Sequence, residues 1–127
     1  MTINEVSKKY DITHDTLRYY ERIGMIPPVT RTSGGIRDYQ EEDCKWVELA
    51  KCMRSAGLPV ETMIEYVKLY KEGDSTIHER LNLLIRQREN LLKQQKQINT
   101  TINRINYKIG RYEIAVETGE LSWDKQK

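Results

Sequence analysis

From Ile77 to Val116 one set of positions recurs in alternating steps of four and three: Ile77, Leu81, Leu84, Arg88, Leu91, Gln95, Ile98, Ile102, Ile105, Ile109, Tyr112 and Val116. This is the heptad rhythm of a helix seam, interrupted only by Arg88 and Gln95. The stretch has no proline, and its first glycine is Gly110. A helix from near Ser75 to Glu117 is about 60 Å long at about 1.5 Å per residue, too long for the small region before it to cover. Each large apolar side chain left in water forfeits about 1.5–3 kcal/mol, so the stripe requires a partner helix. A second copy of the chain is the simplest partner, with Leu81, Leu84, Leu91, Ile98, Ile102, Ile105, Ile109 and Tyr112 as the candidate dimer contacts. The alternative, a helix folded back on its own chain, needs a mid-helix break, and none is visible. The seam does not say whether the paired helices run parallel or antiparallel.

The region before the seam is punctuated by caps and breakers. Thr2 with Glu5 forms a capping-box pattern ahead of a short first helix that turns Ile3 and Val6 inward. After a turn at Tyr10-Asp11-Ile12, Thr13 caps a second helix over 14–23, and Gly24 stops it. Two short helices joined by a tight turn form a helix-turn-helix candidate, although generic helical hairpins share that outline. Ser33-Gly34-Gly35 sits between short segments ending at Arg31-Thr32 and Ile36-Arg37, which predicts a small hairpin, or wing. Acidic Glu41-Glu42-Asp43 opens a third helix reaching about Ala56, with Val47, Ala50 and Met53 on one face. Gly57 ends it, and Pro59 suits the first turn of a fourth helix ending at Gly73. The expected organisation is therefore mainly α: a winged helix-turn-helix over 1–73, a dimerisation helix over 74–118, and a short tail over 119–127 in which Leu121 and Trp123 could dock.

Several classes are excluded or left without support. The formal net charge is only +2, so any basic footprint must be local. Residues 2–10 carry Glu5, Lys8 and Lys9 in place of an apolar leader, and no stretch approaches a membrane span. Cys44 and Cys52 lie about 12 Å apart along one helix at about 1.5 Å per residue, too far for a disulfide within it. Free thiols and no export signal point to the cytoplasm. No phosphate loop or Ser-His-Asp set is present, so an enzyme is not expected. No cofactor is expected. No cysteine follows Cys52, and His78 is the only later histidine, so a thiolate metal site on the long helix is not expected.

At this point the residues become recognisable. Thr16-Leu17-Arg18-Tyr19-Tyr20-Glu21-Arg22-Ile23-Gly24-Met25-Ile26-Pro27 resembles the second helix of MerR-family regulators. Gly35-Ile36-Arg37-Asp38-Tyr39 followed by Glu42-Asp43 resembles that family's wing and third helix. Together with Lys51-Cys52-Met53-Arg54-Ser55-Ala56-Gly57-Leu58, the pattern is similar to the aldehyde- and thiol-stress-responsive (AdhR/NmlR-type) subgroup. Asp11 stands where the family often has Gly, and Ile36 where other branches have an aromatic.

The resemblance implies a homodimer with an antiparallel coiled coil, bound to double-stranded promoter DNA. The second helix would lie in the major groove, and the duplex would be bent and untwisted so that RNA polymerase engages both promoter elements. Residue chemistry agrees with the DNA assignment. Arg18 offers a planar fork for a guanine edge or a phosphate, and Tyr19 a hydroxyl. Thr13, His14 and Thr16 stand at the helix start, where the dipole favours anions. Arg37 and Tyr39 at the wing exit are expected to grip phosphates. Leu17 and Tyr20 read as core, and Glu21 and Arg22 as surface ion-pair formers.

For sensing, the resemblance implicates Cys52, with Lys51 and Arg54 nearby in sequence to favour a thiolate that reacts with aldehydes or is oxidised. The alternative is a structural Cys52, packed as a small hydrophobe. Cys44 is expected to face the core. A coiled-coil adaptor would account for the seam but not for the Arg18-Tyr19 helix or the glycine wing. A constitutive architectural DNA binder is a further alternative, distinguished by ligand-dependent transcription.

Overall fold

The computed structural model describes residues 1–123. Among them the helices are α1 (Ile3–Tyr10), α2 (His14–Ile23), α3 (Glu41–Ser55), α4 (Val60–Glu72) and α5 (Ile77–Thr118), with a 3-10 turn at Asp74–Thr76. The non-helical pairing among the described residues is one antiparallel bridge, between Arg31 and Arg37. The chain divides into two compact units, Met1–Gln87 and the residues from Arg88 on. The first unit runs past the loop at Gly73 because the opening turns of α5 pack into it.

Local chemistry sets the helix ends. Thr2 Oγ1 accepts the Glu5 amide at 3.1 Å while Glu5 Oε1 accepts the Thr2 amide at 3.0 Å, which is the expected reciprocal cap. Asp11 closes α1 in the left-handed region at φ 54°, a conformation Asp tolerates better than most residues. Thr13 Oγ1 accepts the Thr16 amide at 3.1 Å to start α2, and Gly24, at φ 84°, ends it. Asp43 Oδ2 accepts the Gln40 amide at 2.8 Å at the start of α3, and the three acids of its first turn face the positive end of the helix.

Val6, Ile12, Leu17, Met25, Ile26, Val47, Ala50, Met63 and Val67 form the core of the first unit, with Cys44 and Trp46 at its edge. Leu83 of α5 is 2% exposed and joins this unit from a position off the heptad seam. The start of α5 is fastened by polar and aromatic contacts. Thr76 Oγ1 donates to the Leu69 carbonyl at 2.6 Å, and Arg80 Nη2 donates to the Gly73 carbonyl at 3.2 Å. The Arg80 guanidinium lies 5.6 Å from the Tyr70 ring, which meets Trp46 edge-on at 4.9 Å.

Along α5 the seam is largely uncovered. Leu81, Leu84, Ile98, Ile102, Ile105, Ile109 and Tyr112 are exposed, and Leu91 is half-buried. Gly110 leaves the helix unbroken. In the second unit Trp123 docks on Tyr107 at 6.3 Å and on Tyr112 at 5.9 Å. The rest of the expected tail, residues 124–127, lies outside the described residues.

Leu17 is fully buried, so Leu17→Ala removes core volume that the surrounding helices refill only in part. It is expected to cost about 2–5 kcal/mol, read as a lower urea midpoint with an unchanged denaturant slope.

Candidate nucleic-acid interface

The solvent face of α2 carries the candidate reading residues. Thr13 and Thr16 are engaged with each other: their hydroxyls lie 2.8 Å apart, and the Thr16 amide is capped by Thr13. Both side chains thus fix the helix start, leaving its dipole end intact beside half-buried His14. The Arg18 side chain is 48% exposed, and its Nη1 stands 3.3 Å from Oδ1 of the exposed Asp15. A surface pair of this kind contributes about 0–1 kcal/mol, so the guanidinium is readily released to a stronger anion. Tyr19 is exposed, and the Arg22 guanidinium lies 5.5 Å from its ring. Arg18, Tyr19 and Arg22 therefore share one cationic and aromatic surface.

The wing is smaller than the expected hairpin. It consists of the Arg31–Arg37 bridge, with the Thr32 amide donating to the Ile36 carbonyl at 2.8 Å and the Asp38 amide to the Thr30 carbonyl at 2.7 Å. Ser33-Gly34-Gly35 supplies little side chain to pack, so no longer ladder forms. Arg31 Nη1 braces the tip by donating to the Gly35 carbonyl at 3.0 Å. Ile36 stands 69% exposed at that tip.

Two sequence expectations are corrected here. Tyr39 is not a phosphate grip: it is 1% exposed, and its hydroxyl is buried without a hydrogen-bond partner among the described residues. The chain leaves the wing with the Tyr39 amide donating to the Met1 carbonyl at 2.7 Å, and the ring turns into the core. Burial raises its pKa, and the nearby Arg37 opposes that shift. Glu21 is not a surface ion-pair former either, since its side chain is 11% exposed. Its Oε2 accepts the Val29 amide at 2.7 Å and its Oε1 accepts Arg37 Nε at 2.7 Å, with Arg31 Nη2 at 3.6 Å from the same oxygen. Arg37, 24% exposed at its side chain, is thus tied to Glu21. The sequence signal for this hub is thin: one acid on α2 and two arginines flanking a glycine turn.

Cys44 is buried, and Cys52 is exposed on α3. The two cations near Cys52 in sequence are committed to main-chain oxygens: Lys51 donates to the Tyr10 carbonyl, and Arg54 Nη1 to the Leu58 carbonyl at 2.7 Å. Among the described residues no group of three or more His, Cys, Asp or Glu could hold a metal ion. No described helix is long and apolar enough to cross a membrane.

A capped helix-turn-helix whose second helix presents Arg18 and Tyr19 beside a clamped glycine wing defines a class, the winged helix-turn-helix regulators. Residues 1–69 match the MerR HTH family regulatory proteins, and the chain belongs to this family. It is 54% identical over 93 residues to the HTH-type transcriptional regulator AdhR of Bacillus subtilis, a match covering 73% of this chain and 66% of that protein, just under two thirds of its length. A Listeria monocytogenes protein assigned to the MerR family of transcriptional regulators superposes with a TM-score of 0.89 at 37% identity, covering 94% of this chain and 90% of that one. HiNmlR, a MerR family regulator lacking the sensor domain and bound to promoter DNA in its crystal, superposes with a TM-score of 0.85 at 28% identity, covering 94% and 95%. The relatives are regulators, and this chain is of that kind, not an enzyme.

Since the Tyr39 hydroxyl is buried and unpartnered, Tyr39→Phe removes a desolvated polar group at no loss of packing. The expected outcome in a thermal melt is an unchanged or raised Tm, since up to about 1–3 kcal/mol of desolvation cost is relieved, with unchanged affinity for duplex DNA. A lowered Tm would assign the hydroxyl a partner.

Proposed function

We propose that the chain is a cytoplasmic, sequence-specific regulator that binds promoter DNA as a homodimer and reshapes the duplex for RNA polymerase. The observation that carries this reading is the exposed Arg18–Tyr19 face of α2 beside a wing tied to the same helix. The promoter-bound relative supports it. In this reading the start of α2 enters the major groove, Arg18 reads a base edge or a phosphate, and Tyr19, His14 and the Thr13–Thr16 cap meet the backbone. Arg37 contributes to the backbone contact from the wing while held by Glu21.

Pairing follows from the seam. Two copies of α5 would bury Leu81, Leu84, Leu91, Ile98, Ile102, Ile105, Ile109 and Tyr112 against one another, in an antiparallel coiled coil over the dimerisation helix at 74–118. That arrangement holds two winged heads, residues 1–73, at a set separation for successive grooves. Activation then consists of bending and untwisting the DNA and involves no bond-making.

The sensing part of the reading rests on Cys52. Its exposure favours a reactive thiol over a packed one, and the resemblance of residues 51–58 to the aldehyde- and thiol-stress-responsive subgroup favours aldehydes or other electrophiles as the inducer. Adduct formation on α3 would alter how that helix packs and so change the attitude of the reading heads. Lys51 and Arg54 are each anchored by a hydrogen bond to a main-chain carbonyl, and each keeps further N–H donors.

Three outcomes test the proposal. Sedimentation of the purified chain at micromolar concentration is expected to give twice its 15.0 kDa mass, and a single-chain mass removes the dimer. Arg18→Ala is expected to lose about 1–3 kcal/mol of affinity for a duplex selected by the wild-type protein from a randomised library, with relaxed sequence preference. In a reporter strain challenged with formaldehyde or methylglyoxal, Cys52→Ser is expected to abolish induction while leaving DNA binding intact. Normal induction in that variant ends the sensing reading.

A further inference from the structure

The wing has one bridge and a tip of Ser33, Gly34 and Gly35, far less than a two-stranded segment needs to hold itself in place. Its pose must come from elsewhere. The strongest anchors from the wing to α2 converge on one carboxylate. Glu21 Oε2 receives the Val29 amide at the wing entry, and Glu21 Oε1 receives Arg37 Nε at the wing exit, both at 2.7 Å. Arg31 Nη2, at 3.6 Å from Oε1, adds charge to the same point while Arg31 Nη1 braces Gly35. Both limbs of the wing are therefore tied to one side chain of the reading helix, at a site only 11% exposed. Charge-assisted hydrogen bonds in such a setting are short and directional. Removing one partner leaves the others desolvated and unpaired.

Glu21 is an acid on the reading helix itself, where plain electrostatics makes it a liability. A carboxylate near phosphates repels them, and deleting it should strengthen binding to any duplex. Its place at the convergence of both wing limbs indicates a different role. We propose that Glu21 is a positioning residue for DNA recognition: its carboxylate locks the wing to α2 and aims Arg31 and Arg37, so that helix and wing meet the duplex as one rigid reader. Glu21 touches no DNA in this arrangement; it acts through the two arginines and the Val29 amide. The proposal rests on the DNA-binding reading above and adds the element that gives the wing its register.

The test is Glu21→Gln in the full-length chain, which keeps the side chain's shape and replaces the Oε charge. Affinity is measured by fluorescence anisotropy on two probes: a duplex selected by the wild-type protein from a randomised library, and a random-sequence duplex of equal length. The selected duplex is expected to bind at least about fivefold more weakly, the low end of a lost specific contact, while the random duplex binds as well as before or better. Amide hydrogen exchange is expected to speed up at Val29, Thr32 and Asp38 and to stay unchanged in the middle of α2, separating an unlocked wing from an unfolded head. Equal strengthening on both duplexes would overturn the proposal, as would unchanged exchange at the wing amides. Loss of protection throughout α2 would also overturn it by making Glu21 a general fold determinant. If the wild-type protein selects no duplex at all, the DNA-binding reading falls first, and this one with it.

Discussion

The isoleucine row of α5 is left in water by every other described part of its own chain. Ile98, Ile102, Ile105 and Ile109 are each about half exposed, and no loop or helix lies over them. Fully burying one large side chain gains roughly 1.5–3 kcal/mol, so covering this row is a strong drive toward a partner helix. The first unit can be small because it is not required to cover that row. Its core needs only to hold two short helices, a clamped turn and the entry of α5.

Within that first unit, function is divided between residues that face out and residues that hold them. Arg18 and Tyr19 face solvent with weak attachments, which leaves them free to exchange partners. Glu21 and Arg37 are tied to each other at 2.7 Å and are largely withdrawn from water. Thr13 and Thr16 are bound to each other at the cap. The reading surface is thus a few loosely held groups on a tightly held frame.

Those two kinds of residue also differ in how legible they were. The caps at Thr2–Glu5 and Thr13, the stop at Gly24, the breaks at Gly57 and Gly73, and the heptads of α5 are local patterns, and each was readable from neighbours a few positions away. The family resemblance, carried by contiguous runs, was legible for the same reason. Tyr39, Glu21 and Leu83 were not, because their settings depend on groups distant in the chain. Tyr39 turns inward where its main chain pairs with Met1, which nothing in the sequence announces. Glu21 becomes a hub only when residues 8 and 16 positions later fold back on it. Leu83 lies off the seam and gains its burial from the opening turns of α5 packing within the first unit. The wing is shorter than its sequence suggests because glycines mark a turn without saying how much ladder surrounds it.

The Arg80–Tyr70–Trp46 stack leaves little slack where α5 begins. One guanidinium on α5 rests on a ring of α4, which in turn meets an indole of α3 edge-on, and Arg80 also grips the Gly73 carbonyl in the bend between α4 and α5. Such contacts are each worth only about 0.5–1.5 kcal/mol, yet in series they tie α5, α4 and α3 together at the bend. That stack gives the root of α5 a continuous side-chain route to α3, the helix that carries both thiols.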